Sequence, residues 1–269
     1  FKWRAPIIAS LVVISELVCV ACVPERPVAC DEKPGKISDM FKALFKNDQA
    51  MTVVVSIILV YTSLNICGNL VLYFFRFDVG NEGAYSIFAA VAFAAQVLVM
   101  MVIPLLRKRF SKSQLFISGI IIQIAGFAMI LIMAFAKLYT QQSWYILCLP
   151  GILIYLGYGM LNVIMTIFLS DSVDYGEVMN GTREESVIFS MQTFTVKLAS
   201  GVAVFLAGLV VDWIHLDTAA AVQTQDTLDA LRMWMTIPSV ILLIVGIFVF
   251  KRFYKLDDTR MEEIKSKLN

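Results

Sequence analysis

Seven stretches of nearly uninterrupted apolar residues recur along the chain, separated by polar connections. Each stretch is long enough for a helix to cross the hydrocarbon core of a bilayer, which is ~30 Å thick. The stretches are residues 5–23, 51–75, 84–106, 113–136, 144–169, 186–211 and 233–250. The pattern predicts an all-α, multi-pass membrane protein with seven transmembrane helices.

Three of these stretches carry polar residues along one helix face. The polar residues recur at intervals of three or four positions, which is helical spacing. They are Tyr61, Asn65, Asn69 and Tyr73 in the second stretch, Tyr155, Tyr158, Asn162 and Thr166 in the fifth, and Ser190, Thr193, Lys197 and Ser200 in the sixth. Hydrogen bonds between packed helices, worth ~0.6 kcal/mol each on average, would explain one isolated asparagine. Three polar stripes together with a lysine instead predict a shared aqueous cavity.

Lys197 is the only charged residue in the sixth stretch. It lies roughly 15 to 20 Å from either end, which is too far for its side chain to reach the membrane surface. A charge at the bilayer centre costs at least ~2.5 kcal/mol, and such groups usually face a cavity or an ion pathway. We therefore predict a transport role for Lys197, with a structural ion pair as the alternative. The same stretch contains Ala199, Ala203 and Ala207, a ridge of small residues that predicts close helix packing.

Lys and Arg residues are distributed unequally between the two sides of the predicted spans. One side receives sixteen of them, in residues 24–50, the RKRFSK turn, the loop after Leu169 and the C-terminal segment, whereas the other side receives five. Cytoplasmic connections carry the excess of positive charge. We therefore predict a multi-pass protein of the cell (inner) membrane with a cytoplasmic C-terminus. The odd number of spans and a first residue other than Met predict a piece of a longer protein.

Residues 24–50 form the one long polar connection before the C-terminal segment, and their Pro, Gly and mixed charges predict a linker. The predicted domains are a first helix (1–23), this cytoplasmic linker (24–50), a six-helix bundle (51–250) and a cytoplasmic tail (251–269). Within the linker, apolar residues recur at helical spacing at Ile37, Met40, Phe41, Leu44 and Phe45. They predict an amphipathic helix that lies on the membrane surface or packs on the bundle.

The composition and the motifs argue against other classes of protein. The chain is 59% hydrophobic and only 16% charged, unlike an ordinary soluble domain. It contains none of the common motifs for a nucleophile, a catalytic zinc, a phosphate loop or a dinucleotide. We therefore expect no enzymatic activity, no metal, no cofactor and no nucleic-acid partner, and we expect a lipid bilayer around the spans.

The segment DSVDYGEVMNGTREESVIFSMQTFTVKLASG, which the spans place in and after a short cytoplasmic loop, carries the most specific motif. It closely resembles the signature of the glycoside-pentoside-hexuronide:cation symporters, the melibiose permease family within the major facilitator superfamily. KALFKNDQ before the second span and NLVLYFF at its end agree with the same family. The resemblance covers essentially the whole chain and aligns it with helices six to twelve of such a transporter.

The resemblance implies symport of a sugar or glycoside, driven by sodium or protons, through rocking of two helix bundles. Lys197, Thr193 and Gln192 match family positions at the sugar and cation-coupling site, to which we add Tyr158 and Asn162 from the polar stripe. Asn162 stands where melibiose-transporting relatives have a tryptophan. Four residues match a cytoplasmic gate that pairs with the missing N-terminal bundle, namely Asp171, Asp174, Glu177 and Arg183.

A second hypothesis is a non-transporting membrane protein, either a sensor or a remnant of half a transporter. It is motivated by the absence of the family's N-terminal helices from the sequence. Five further upstream spans with paired aspartates would favour the symporter.

Overall fold

The computed structural model describes residues 4–22, 45–181, 185–220 and 222–268. The chain divides into two compact units, Phe1–Ile37 and Ser38–Asn269. In the first unit, helix α1 spans Arg4–Cys22 and is apolar except at Arg4, Ser10, Ser15 and Glu16. Two sequence predictions, the amphipathic segment over residues 37–44 and the role of Arg183, lie outside the described residues.

The described part of the second unit contains seven α-helices. They are α2 (Asp48–Tyr73), α3 (Ala84–Leu106), α4 (Lys112–Phe135), α5 (Cys148–Asn180), α6 (Glu185–Trp213), α7 (Gln225–Phe253) and α8 (Asp258–Leu268). A π-helical turn, Phe74–Asp78, continues α2, and a 3-10 turn, Trp144–Leu147, precedes α5. Among the residues described, six helices, α2 to α7, are long and apolar enough to cross a membrane. The predicted all-α, multi-pass fold is confirmed.

One boundary prediction was wrong in a way that affects function. The acidic segment after Leu169 was predicted as a loop, but α5 continues through it to Asn180. No proline interrupts this segment, and the helix ends where Gly181 adopts a left-handed conformation, with φ of 72°. Asp171, Asp174 and Glu177 therefore lie on successive turns of a helix.

α2 is the central helix of the second unit. In its most apolar segment 61% of the residues are buried, against 22% in the corresponding segment of α3. α2 packs against α6, α7 and α5, while α5 also packs against α3 and α4. The polar stripes predicted on α2, α5 and α6 therefore belong to helices that contact one another.

Glycines bring α4 and α5 to backbone contact. A Cβ atom added to Gly157 would lie 2.4 Å from the carbonyl oxygen of Gly119, and one added to Gly126 would lie 2.8 Å from the backbone nitrogen of Ile154. Only glycine permits such an approach, and small residues serve the same purpose in other membrane helices. α4 and α5 are thus fixed closely together beside the predicted site.

Hydrogen bonds and the C-terminal helix close one end of the unit, the end that contains the N-terminus of α2. Asn47 caps α2, because its Oδ1 accepts a hydrogen bond from Ala50 N at 2.9 Å, and its Nδ2 donates to Ser172 O on α5 at 2.8 Å. α8 covers the same end through a small apolar core formed by Leu256, Met261 and Ile264, packed against Tyr175 and Val178 of α5. We call this end of the bundle the α8 end.

Candidate functional site

α6, the helix that carries Lys197, is buried on one face and exposed on the opposite one. Ala199, Ala203 and Ala207 are 1%, 0% and 5% exposed, so the prediction of close packing through small residues is confirmed. Lys197 lies about 160° around the helix from Ala199 and is exposed, together with the apolar side chains of Phe194 and Leu198. An apolar helix face with a lysine at its centre is therefore open in this chain.

The depth of Lys197 agrees with the sequence prediction. It lies about 18 Å from the first residue of α6 and about 24 Å from the last. No carboxylate among the described residues forms an ion pair with it. Thr193, one turn away on the same face, is exposed and turns its hydroxyl back to Phe189 O at 3.3 Å. A partner for Lys197 must therefore come from outside the described residues, or from water.

The polar stripes of α2 and α5 meet at two tyrosines. The rings of Tyr61 and Tyr158 contact edge to face, with centroids 5.4 Å apart. Tyr158 and Asn162 are half-buried and lie one turn apart on α5. On α2, Asn65 and Asn69 each donate to a backbone oxygen one turn earlier, at 2.7 Å. Their amide N–H groups are thus partly satisfied within the helix, while their carbonyl oxygens remain available as acceptors.

The structure brings some of the predicted site residues together and leaves others apart. Tyr158 and Asn162 lie on one surface, but within the described parts of the chain no hydrogen bond joins either of them to Lys197 or Thr193. Gln192 is half-buried, about 140° around α6 from Lys197. Gln192 therefore points away from the open face that carries Lys197.

A group of charges joins α4, α5 and α8, and we call it the Lys112 cluster (Lys112, Asp171, Asp258 and Arg107). Lys112 and Asp171 form a buried ion pair, with side chains 5% and 7% exposed. Lys112 also lies 3.5 Å from Asp258 Oδ1, to which Arg107 Nη2 donates at 3.2 Å. Partial burial raises the pKa of Asp258, but the hydrogen bond from Arg107 and the charge of Lys112 outweigh it and hold the pKa below its ordinary value.

This cluster changes the interpretation of one predicted gate residue. The sequence prediction placed the cations opposite Asp171 in the missing bundle, whereas the structure places Lys112, a residue of the same bundle, against it. Asp174 and Glu177 follow on the next two turns of α5 and are half-buried. Their role as gate residues stays a prediction.

A second group of charges lies at the opposite end of the bundle, and we call it the Arg232 cluster (Arg232, Asp78, Tyr139 and Asp229). Arg232 donates to both carboxylate oxygens of Asp78, at 2.8 and 2.5 Å, and to Asp229 at 2.7 Å. The Tyr139 hydroxyl donates to Asp78 at 2.6 Å. Burial, followed by the charge of Asp78, raises the pKa of Tyr139, which keeps this donor protonated.

Sequence reasoning missed the Arg232 cluster because the predicted span 233–250 begins after Arg232 and leaves it in a connection. The structure places Arg232 inside α7, with 5% of its side chain exposed. The available signal was the position of Asp78 and Arg232 at the ends of two apolar runs that finish on the same side of the membrane. In the part of the chain that the structure describes, no group of three or more His, Cys, Asp or Glu residues is arranged to hold a metal ion.

Comparison with known proteins decides the family. A family model described as MFS/sugar transport protein matches residues 4–258. The chain belongs to this family. Its members are transporters, so the chain is a transporter-family protein and not an enzyme.

Individual relatives are distant but align with most of the chain. The chain is 24% identical over 263 residues to the "Uncharacterized symporter YjmB" of Bacillus subtilis, covering 97% of this chain and 56% of the relative. It is 23% identical over 234 residues to a raffinose carrier protein of Pediococcus pentosaceus, covering 86% and 35%. It is 22% identical over 276 residues to a lactose permease of Lactobacillus helveticus, covering 100% and 42%. These matches confirm the resemblance to the glycoside-pentoside-hexuronide symporters.

The chain spans only part of each of these relatives, between 35% and 56% of their lengths. Each relative therefore contains a large region with no counterpart in this chain.

Proposed function

We propose that this chain forms the C-terminal part of a secondary transporter of the cell membrane, which carries a sugar or glycoside together with sodium or a proton. The observation that carries the proposal is Lys197, a mid-span lysine on an exposed apolar face with no ion-pair partner among the described residues. The family and the relatives named for raffinose and lactose support a sugar as the substrate. The distribution of Lys and Arg supports a cytoplasmic position for the α8 end.

Lys197 has a specific role in this proposal. A charge at that depth needs an acidic partner, because an unpaired ammonium within hydrocarbon is costly. We assign the partner to helices that precede this chain in the complete protein. Binding of the cation would draw that carboxylate away from Lys197 and so link cation binding to the sugar site.

The substrate site in this chain would be formed by the exposed parts of the polar stripes. Tyr61 and Tyr158 present aromatic rings, and Asn162 presents an amide that can both donate to and accept from a sugar hydroxyl. By the family resemblance, Asn162 stands where melibiose-transporting relatives have a tryptophan. The site therefore favours a substrate held by hydrogen bonds at this position over one stacked on an indole ring.

Alternating access requires a closure at the α8 end that can open. Asp174 and Glu177 are the proposed contacts with basic residues of the preceding bundle, and Arg183 is the proposed cation on this side. Asp171 holds α4 and α5 together through Lys112. Exposed ion pairs contribute only ~0 to 1 kcal/mol each, so several must act together to bias the equilibrium.

The test is uptake of labelled lactose, raffinose and related glycosides into energised vesicles that contain the full-length protein. We expect accumulation above equilibrium in the parent and at least tenfold less in Lys197→Ala, the change produced by ~1.4 kcal/mol. Lys108→Ala, an exposed lysine of the basic turn, is the matched control and should accumulate normally. Normal gradient-driven uptake by well-expressed Lys197→Ala would refute the coupling role. No uptake by the parent with any sugar would favour a non-transporting membrane protein.

A further inference from the structure

An amphipathic cavity lies between the first turns of α2 and the last turns of α7. Its volume is about 590 Å³, and its lining changes from charged to apolar. Arg252 and Lys255 line its mouth, and both are exposed. Val55 and Val249 line its deeper part, about 11 Å and 6 Å inside the ends of their helices.

A buried glutamine builds this cavity by holding the two helix ends together. Gln49, which is 1% exposed, accepts a hydrogen bond from Lys255 N at 2.8 Å and donates to Phe253 O at 3.4 Å. The same amide donates to Asp48 at 2.8 Å. Gln49 therefore fixes the basic end of α7 beside the start of α2, and the mouth of the cavity is a defined arrangement of charges.

The charges at the mouth favour an anion. Arg252 and Lys255 oppose a single lining carboxylate, Asp48, which leaves one net positive charge. Lys46 and Lys251 are also exposed at this end. Two exposed aromatic side chains, Phe45 and Phe253, line the cavity and are 71% and 51% exposed.

The geometry points to an anionic phospholipid as the occupant, and we propose that one binds here, with its phosphate at Arg252 and Lys255 and an acyl chain along Val55 and Val249. Basic pockets between transmembrane helices are suited to anionic headgroups, and aromatic residues lie at the level of headgroups. A free phosphate would use the mouth but leave the apolar floor and the exposed phenylalanines unexplained. The proposal needs only that α2 and α7 cross a membrane, so it does not depend on the transport activity.

A reporter beside the cavity tests the proposal directly. Phe253→Trp in the full-length protein, reconstituted in phosphatidylcholine vesicles, gives a fluorescence signal after the parent's own tryptophan emission is subtracted. Brominated phosphatidylglycerol should quench this signal at about fivefold lower mole fraction than brominated phosphatidylcholine, as expected for one net positive charge near the lipid surface.

Three variants in the Phe253→Trp background show which charges cause the preference for phosphatidylglycerol. Arg252→Gln combined with Lys255→Gln leaves only the charge of Asp48 at the mouth and should abolish the preference for phosphatidylglycerol. Lys108→Gln combined with Arg109→Gln removes the same charge from the exposed basic turn at the same end and should keep the preference. Asp48→Asn adds one net positive charge and should raise the preference about fivefold further.

Each other result overturns the proposal. Equal quenching in the parent reporter would show only bulk lipid at this surface. A preference that survives loss of Arg252 and Lys255 would place the anion site elsewhere. Absence of quenching by either lipid would show that a protein segment covers the cavity.

Discussion

The two charge clusters lie at opposite ends of the same bundle and differ in construction. In the Arg232 cluster, a guanidinium meets both oxygens of Asp78, and the two side chains are 5% and 4% exposed. In the Lys112 cluster, one ammonium lies between two carboxylates, and the second of these, Asp258, has 41% of its side chain exposed. Each cluster contains one buried ion pair and one partly exposed carboxylate, Asp229 with 37% and Asp258 with 41% of the side chain exposed, so the clusters differ in the bidentate geometry of the arginine and not in their access to solvent.

This difference has a physical consequence for alternating access. A buried, bidentate arginine–carboxylate pair tolerates little change in geometry, because moving either partner leaves an unpaired charge in a medium of low dielectric constant. An ammonium shared between two carboxylates can lose one partner and keep the other. The Arg232 cluster is therefore suited to holding α2, α7 and the α4–α5 connection as one body, and the Lys112 cluster is suited to an end of the bundle that changes.

The largest expected effect is on stability, from Arg232→Met. The substitution leaves Asp78 buried with only Tyr139 donating to it, and breaking a buried pair in this way costs ~3 to 5 kcal/mol. We expect a large fall in the thermal unfolding temperature of the detergent-solubilised protein. Adding Asp78→Asn to Arg232→Met should recover much of the loss, because no buried charge then remains.

Arg76→Met is the matched control for this prediction. Arg76 lies near the same end of the bundle, but its ion pair with Glu82 is 3.8 Å long and its side chain is 45% exposed. Exposed pairs of this kind contribute under ~1 kcal/mol. Similar losses in Arg76→Met and Arg232→Met would show that burial does not distinguish these pairs.

The second prediction separates Asp171 from the other gate residues. Neutralising Asp174 and Glu177 together should increase labelling of a cysteine at position 65 from the α8 end by about threefold to tenfold, because two partly exposed pairs together contribute roughly 1 kcal/mol. Asp171→Asn should lower stability instead and leave labelling nearly unchanged, because Lys112 keeps Asp258 nearby. Unchanged labelling in the Asp174 and Glu177 variant would show that these carboxylates do not hold the α8 end closed.

Six of the seven predicted spans correspond to α2 to α7, since length and apolarity alone decide whether a helix can cross a bilayer. The sequence could not predict the pairing of Asp78 with Arg232, which are 154 positions apart. Both residues lie at the ends of apolar runs, where a charge normally reaches water. Only the packing of α2 against α7 removes that water, and helix packing is not readable from one sequence.

The functional site, like the fold, could be predicted from the sequence only in part. The mid-span depth of Lys197 follows from its position in an apolar run, and the structure agrees. Whether the three polar stripes share a cavity depends on the rotation of each helix about its axis. The contact of Tyr61 with Tyr158 joins two of the stripes, whereas the Lys197 face of α6 stays open. The sequence analysis predicts a loop after Leu169 because acidic residues cluster there, but no proline precedes Gly181 in this segment and the helix continues.

The smallest expected effect concerns pH and the docking of α8. The pKa of Asp258 lies below its ordinary value of 3.8, so the folded state favours the ionised carboxylate. Its stabilisation of the docked helix is fully present above pH 3.8 and is lost as the pH falls through the lower folded-state pKa. Because 41% of the side chain is exposed, the effect should stay below ~1 kcal/mol.

Hydrogen-exchange protection of α8, corrected for intrinsic rates, should be constant from about pH 5 to 8 and fall at lower pH. Asp258→Asn should reduce protection at neutral pH and remove most of this fall, whereas Glu262→Gln, an exposed neighbour on the same helix, should behave as the parent. A pH response that persists unchanged in Asp258→Asn would assign the docking of α8 to its apolar contacts through Leu256, Met261 and Ile264 rather than to the Lys112 cluster.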